Sequence, residues 1–250
     1  MAAAQRLALL ARPTRGALIL DGAHFLYTLL VLTLTWRSEV LCTLLLAGAA
    51  AARFSLRAER TEAAIFAVGF VFASLAEIVQ VAAGLYTYAE RSSLIIPAYN
   101  FFLWGSVLCL AHSSLTRLEL RLGAALRVSL RQVVAEGGAY LAVTAVLCVL
   151  GHRPPLVAAL LGGALLLRLL VLRSERDGWF VVLGVLCGPL VENYLVGLGI
   201  YRFADPAIGH LPVWHPLYWG IIVLLLRRAV AFVNQLDQAA SASSGGRDAF

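Results

Sequence analysis

The sequence predicts an all-α membrane protein of about eight transmembrane helices, arranged as two tandem four-helix repeats related by a pseudo-twofold axis along the membrane normal. Three observations predict it. Of the 250 residues, 61% are hydrophobic and only 14% are charged, whereas a soluble domain carries about 25% charged residues. The connections between apolar runs alternate between arginine-rich and arginine-poor. The chain also matches itself, without gaps, at an offset of 115 residues.

The apolar runs fall near 17–36, 39–56, 63–87, 96–115, 132–151, 155–172, 178–201 and 212–233. Each is close to the roughly 20 residues that cross a bilayer as a helix. Pro154-Pro155 and Pro212 suit the starts of the sixth and eighth helices, because proline is tolerated in a first helical turn. Arg6, Arg12 and Arg15 precede the first run as they would in a signal peptide. That run is long, holds Asp21 and His24 and lacks a small-residue cleavage site, so it reads as an uncleaved span.

The arginines test the helix count. One side collects Arg6, Arg12, Arg15, Arg53, Arg57, Arg60, Arg117, Arg121, Arg127, Arg131, Arg168, Arg173, Arg176, Arg227, Arg228 and Arg247; the other holds Arg37, Arg91, Arg153 and Arg202. Sixteen against four satisfies the positive-inside rule with both termini cytoplasmic. The expected organisation is a cytoplasmic segment over 1–16, a first four-helix repeat over 17–116, a cytoplasmic linker over 117–131, a second repeat over 132–233 and a disordered cytoplasmic tail over 234–250.

Composition narrows the chemistry. The net charge of +6 reads as topology, not nucleic-acid binding. All 20 basic residues are Arg, so Schiff-base chemistry through lysine is excluded. This usage points to a bacterium with a GC-rich genome, hence a multi-pass protein of the bacterial inner membrane. Cys42, Cys109, Cys148 and Cys187 lie inside apolar runs with no redox or zinc spacing.

The repeat is carried by polar and aromatic matches. Glu77 falls on Glu192, Gly84 on Gly199, Tyr86 on Tyr201, Tyr88 on Phe203, Pro97 on Pro212, Tyr99 on Trp214, Trp104 on Trp219 and Gly105 on Gly220. Upstream, Asp21-Gly22 falls on Glu136-Gly137, Phe25 on Tyr140 and Arg53 on Arg168. Each unit has an even number of helices, so the copies share an orientation, as in parallel repeats.

Acids inside spans are costly and often functional. Asp21 and Arg53 lie equally far from the turn at Arg37, so an antiparallel hairpin brings them level; Glu136 and Arg168 are related in the same way around His152. These read as two structural ion pairs, with a headgroup or diphosphate site as the other reading. His24 near Asp21 has Ala139 as its repeat partner and reads as an interior His, not a metal ligand. Glu77 and Glu192 sit in mid-span with no arginine at their depth on the helices next in sequence. They read as uncharged carboxyls and candidate general acids, against interhelical hydrogen bonds to Asn193, Gln80 or a carbonyl.

Each glutamate is followed by Gly, Tyr-x-aromatic, Pro-x-aromatic and Trp-Gly, with His215 and Tyr218 added in the second copy. An interfacial aromatic belt is one reading of these residues. The other is a set of π faces that stabilise a cation beside an acid, the chemistry needed to protonate an alkene and steer a carbocation. Long isoprenoids are abundant membrane alkenes.

The stretch Glu77-x6-Gly84-x-Tyr86-x-Tyr88 to Pro97 resembles a motif of integral membrane carotenoid-biosynthesis proteins of the bacterioruberin-type hydratase group. A looser similarity links it to small membrane lycopene cyclases and membrane-bound meroterpenoid cyclases. The likeness covers about 30 residues of each repeat, and the P-x-E-E segment of the lycopene cyclases is absent: Pro97 is followed by Ala98-Tyr99-Asn100 and Pro212 by Val213-Trp214-His215. The resemblance implies a cofactor-free, metal-independent isoprenoid cyclase or hydratase with Glu77 and Glu192 as acids. Trp104, Trp219, Trp214, Tyr99, Tyr86, Tyr201 and Asn193 are the expected substrate contacts, with a lipophilic isoprenoid and membrane lipid as partners. The alternatives are a small-molecule or proton-coupled transporter, for which Gly188-Pro189 supplies a helix break, and a ligand-free membrane scaffold.

Overall fold

The computed structural model describes residues 15–56, 60–90, 94–121, 126–172 and 174–244. Arg6, Arg12, Arg57, Arg91, Arg173 and Arg247 of the topology argument, and the N-terminal segment up to residue 14, lie outside the described residues. The described chain is an all-α multi-pass membrane protein with eight long helices. They are α1 (Arg15–Thr35), α2 (Glu39–Leu56), α3 (Arg60–Ala82), α4 (Tyr99–Arg121), α5 (Leu130–Leu150), α6 (Pro154–Val171), α7 (Asp177–Gly197) and α8 (His215–Ser244). Seven of them are long and apolar enough to cross a membrane; α4 is the exception. Two three-residue strands, β1 (Tyr86–Tyr88) and β2 (Tyr201–Phe203), pair antiparallel.

Local signals set the ends. Ser129 caps α5 in a capping box: its hydroxyl accepts from the Gln132 amide, and the Gln132 side chain accepts from the Ser129 amide at 2.9 Å. Pro154 and Pro155 open α6. Gly84 (φ 76°) and Gly199 (φ 81°) end the turns after α3 and α7, a conformation in which a side chain would be strained. α8 runs well past the expected boundary at 233, through Ser244, so the segment expected to be a disordered tail begins as helix. Physical anchors hold it: Asp237 accepts from the Thr61 hydroxyl at 2.9 Å, and Gln235 bonds the Val128 carbonyl at 3.3 Å.

Lipid supplies little hydrophobic drive for helix association, so close backbone approach through small residues carries the packing. α3 packs on α4 and α7 on α8 in this way. A Cβ placed on Gly69 would lie 2.5 Å from the Trp104 carbonyl oxygen; one on Gly184 would lie 2.7 Å from that of Trp219. Gly69 opens a π-helical turn, Gly69–Ala73, inside α3; such turns are rare and occur often at functional sites. Gly184→Ala is expected to lower stability by about 1–3 kcal/mol through overpacking. Gly163→Ala, where a Cβ meets open space, is expected to be neutral or slightly stabilising. Thermal unfolding of the two variants in detergent checks this; equal melting temperatures would contradict the close contact.

The core gathers at the end of the bundle that carries the strands. Leu32, Trp36, Leu46, Tyr86, Tyr99, Leu147, Leu161, Tyr201, Phe203, Trp214 and Tyr218 are buried in one cluster there. The opposite end carries the arginines. α5 meets the second half of α3, and at the strand end Leu85 lies against Gly151.

Candidate functional site

Two ion networks close the arginine end. In the first, Arg53 donates to Asp21 at 2.7 Å and to Glu62 at 2.7 Å, and Arg117 donates to the second Asp21 oxygen. Arg53 is 2% exposed. In the second, Arg168 donates to Glu136 at 2.5 Å and to Asp177 at 2.9 Å. Arg227 reaches Asp177 at 2.5 Å and also Glu119, and Arg228 lies 2.8 Å from Glu136. The Arg227 guanidinium stacks over Phe180 at 4.2 Å. The four residues read as ion pairs from the sequence are thus brought together two by two. Sequence reasoning missed Glu62 and Asp177. Their signal was an acid nine residues after each arginine, on residues taken for the edges of loops.

Between the networks and the strands lies a cavity of about 1250 Å³ formed by α3, α4, α5, α7, α8 and both strands. Its walls are mostly apolar, among them Val68, Phe72, Leu108, Leu141, Ile222 and Leu226. Phe72, Leu75 and Val79 of α3 and Leu141 and Val149 of α5 line it and are exposed, so it opens sideways between those helices. Polar groups concentrate at the strand end: Glu77, Gln80, Tyr86, Tyr140, Thr144, Glu192, Tyr201, His215 and Tyr218. Thr61 and Asp237 mark the other end.

Glu77 is held from several sides. It accepts from the Tyr88 hydroxyl, the Asn100 amide and the Trp104 indole. Burial, then the field of Glu77, pushes the Tyr88 phenol well above its ordinary value, so it stays a donor. Glu192 is served more thinly. The Tyr201 hydroxyl donates to it, and His215 Nε2 stands off at 3.9 Å. His215 is 3% exposed and its Nδ1 has no hydrogen-bond partner, and the Trp219 indole lies beside Glu192. Along the cavity wall Gln80 donates to Tyr218 at 2.7 Å, and Tyr218 meets Tyr140 at 2.8 Å.

Of the predicted ligand contacts, Trp104, Trp219, Trp214, Tyr86 and Tyr201 line the cavity with both glutamates. Tyr99 and Asn193 do not. Tyr99 is buried in the strand-end core, and Asn193 turns to a loop, where its oxygen accepts from the His210 amide at 2.9 Å. Asn100, Gln80 and Tyr140 are polar site residues that the expected set left out. Asn100 had a signal: at the repeat offset it falls on His215. Among the described residues, no three His, Cys, Asp or Glu side chains are grouped to hold a metal ion.

No protein-family model matches the chain, and no curated protein matches it. Two solved structures are similar. The crystal structure of a mycobacterial Insig homolog, MvINS, from Mycobacterium vanbaalenii superposes with a TM-score of 0.57 at 24% identity, covering 68% of this chain and 94% of that one. A structure of a cross-linked MvINS trimer gives 0.57 at 22% identity, covering 68% and 93%. At this identity the likeness is one of fold. It corrects the resemblance to carotenoid and terpenoid enzymes, because the architecture matched is that of an Insig homolog. The cyclase-or-hydratase reading falls with it, and so do Glu77 and Glu192 as its acids. At Glu77 the oxygens accept from three donors, which fix the carboxyl in place. The chain has the fold of a bacterial Insig homolog and is a multi-pass membrane protein.

Proposed function

We propose that this chain is a non-catalytic membrane protein that takes a lipid from the bilayer into its cavity and serves as a lipid-binding scaffold. The observation that carries the reading is the cavity itself. Its 1250 Å³ exceeds the roughly 300–1,000 Å³ of drug-sized sites. Its apolar length suits a hydrocarbon or isoprenoid chain and its polar end suits a head group. The sideways opening between α3 and α5 is an entry from the membrane.

The test is to recover bound lipid. Native mass spectrometry of the purified protein is expected to show a co-purifying lipid. Gly137 lines the cavity, and a Cβ there meets nothing within 4 Å. Gly137→Trp is therefore expected to fill the space, fold normally and lose the lipid. Lipid occupancy unchanged in a folded Gly137→Trp protein would refute the reading.

Within this reading, the two halves are related by a pseudo-twofold axis along the membrane normal. Three arrangements support it. Thr87 pairs with Arg202 and Tyr86 with Phe203 across the strands, which is the register a twofold between copies offset by 115 demands. The bonds Ala89 amide to Ile200 carbonyl at 3.0 Å and Ala204 amide to Leu85 carbonyl at 3.1 Å exchange under that offset. Glu62 of the first ion network corresponds to Asp177 of the second. We place the arginine end and both termini in the cytoplasm of a bacterial inner membrane, on the arginine excess.

A further inference from the structure

We infer that the head group received beside Glu192 is a cationic amine, so that the occupant of the cavity is an amine-headed amphiphile. The inference rests on the lipid-binding reading and deepens it. Four observations carry it.

The first is charge. Glu77 and Glu192 line the cavity, and no arginine lines it among the described residues. The second is the unequal service of the two carboxyls. Tyr88 donates to Glu77, but its repeat equivalent is Phe203, which has no hydroxyl. Asn100 donates to Glu77, but its equivalent, His215, stays 3.9 Å from Glu192. Glu192, with Tyr201 donating and the Trp219 indole beside it, accepts from fewer fixed donors than Glu77 and keeps lone pairs for an incoming donor. The third is His215 itself, a buried side chain lining the cavity whose Nδ1 has no partner. With Nε2 carrying the proton toward Glu192, Nδ1 is a second acceptor for an ammonium N–H.

The fourth is the aromatic surround. Phe203 lies 5.1 Å from His215 and 6.1 Å from Trp214, and Tyr86 lies 5.5 Å from Tyr201 and 5.3 Å from Phe203. Ring faces around a carboxylate favour a cation, and recognition of ammonium groups by aromatic cages follows this pattern. A carboxylate or phosphate head meets two acids with no counter-charge. An alcohol fills the hydrogen bonds but gives neither acid a partner that favours its ionised form.

The experiment measures binding of radiolabelled hexadecylamine to the full chain in phosphatidylcholine nanodiscs, with empty nanodiscs as background. Unlabelled hexadecanol, hexadecane and hexadecanoic acid compete. Hexadecylamine is expected to bind at least about tenfold more tightly than hexadecanol, with the acid weakest. Glu192→Gln is expected to erase the preference for the amine over hexadecanol. Phe203→Tyr supplies the hydroxyl that the first copy already has. It is expected to weaken the amine severalfold, and it serves as the test should Glu192→Gln fail to fold. Hexadecanol binding as tightly as the amine would overturn the cation inference and leave the lipid reading standing. Saturable binding by none of the chains would overturn the lipid reading itself.

Discussion

Arg53→Gln is expected to destabilise the protein by about 3–5 kcal/mol, the range measured when one partner of a buried ion pair is removed. Arg53 is almost fully buried, bonds Asp21 and Glu62, and so ties α1, α2 and α3 together. Glutamine cannot supply the charge, and the acids at 21 and 62 then lose the guanidinium they share. Asp21→Asn is expected to destabilise as well. The double variant should lose clearly less than the sum of the two, because residues in one network couple. Arg153→Gln, an exposed residue, is expected to stay within about 0.5 kcal/mol of the parent. Reversible unfolding in mixed micelles measures all four proteins. An Arg53→Gln protein as stable as the parent, or fully additive losses, would show that the network does not hold the helices.

The same arginine shows what the sequence makes legible. Hydropathy found the helices because each must satisfy its backbone in lipid, and α2 and α6 begin and end within two residues of the expected bounds. α8 was cut short because its last turns are polar. They are held by Asp237 and Gln235, which bond residues distant in sequence. Depth marked Arg53 and Arg168 as ion-pair partners, but arginine counting treated Arg117, Arg227 and Arg228 only as charges marking a side, whereas all three are paired with acids. A tally of charges cannot separate these cases, since both put arginine at one end of a helix. The cavity-lining aromatics and glutamates were legible from repeat and depth. Their partners were not, because Gln80 to Tyr218 spans 138 positions and no local spacing encodes it. The chemistry assigned to the acids failed for the same reason: the donors that hold Glu77 arrive from β1 and α4.

Glu77→Gln and Glu192→Gln are expected to differ, although the two positions match at the 115-residue offset. Hydrogen bonds to a charged group contribute about 1.5–3 kcal/mol each, and an unsatisfied buried group costs about as much. At position 77 the Asn100 and Trp104 donors share one oxygen and Tyr88 donates to the other. An amide offers one oxygen and brings an NH₂, so it can serve Asn100 and Trp104 only with its nitrogen donating to the Tyr88 oxygen, and the Tyr88 hydroxyl then loses its acceptor. A loss of about 2–4 kcal/mol follows. At position 192 Tyr201 donates, the Trp219 indole lies beside the carboxyl and His215 stands away, so the amide can keep its oxygen on these donors and turn its nitrogen toward the cavity, and the loss stays below about 1 kcal/mol. Asn100→Leu should reduce the penalty of Glu77→Gln, since it removes one of the frustrated donors. Unfolding free energies of the three single variants and the double decide the matter. Equal losses at 77 and 192 would mean that the two carboxyls are satisfied alike, and the unfilled acceptor beside His215 would then not exist.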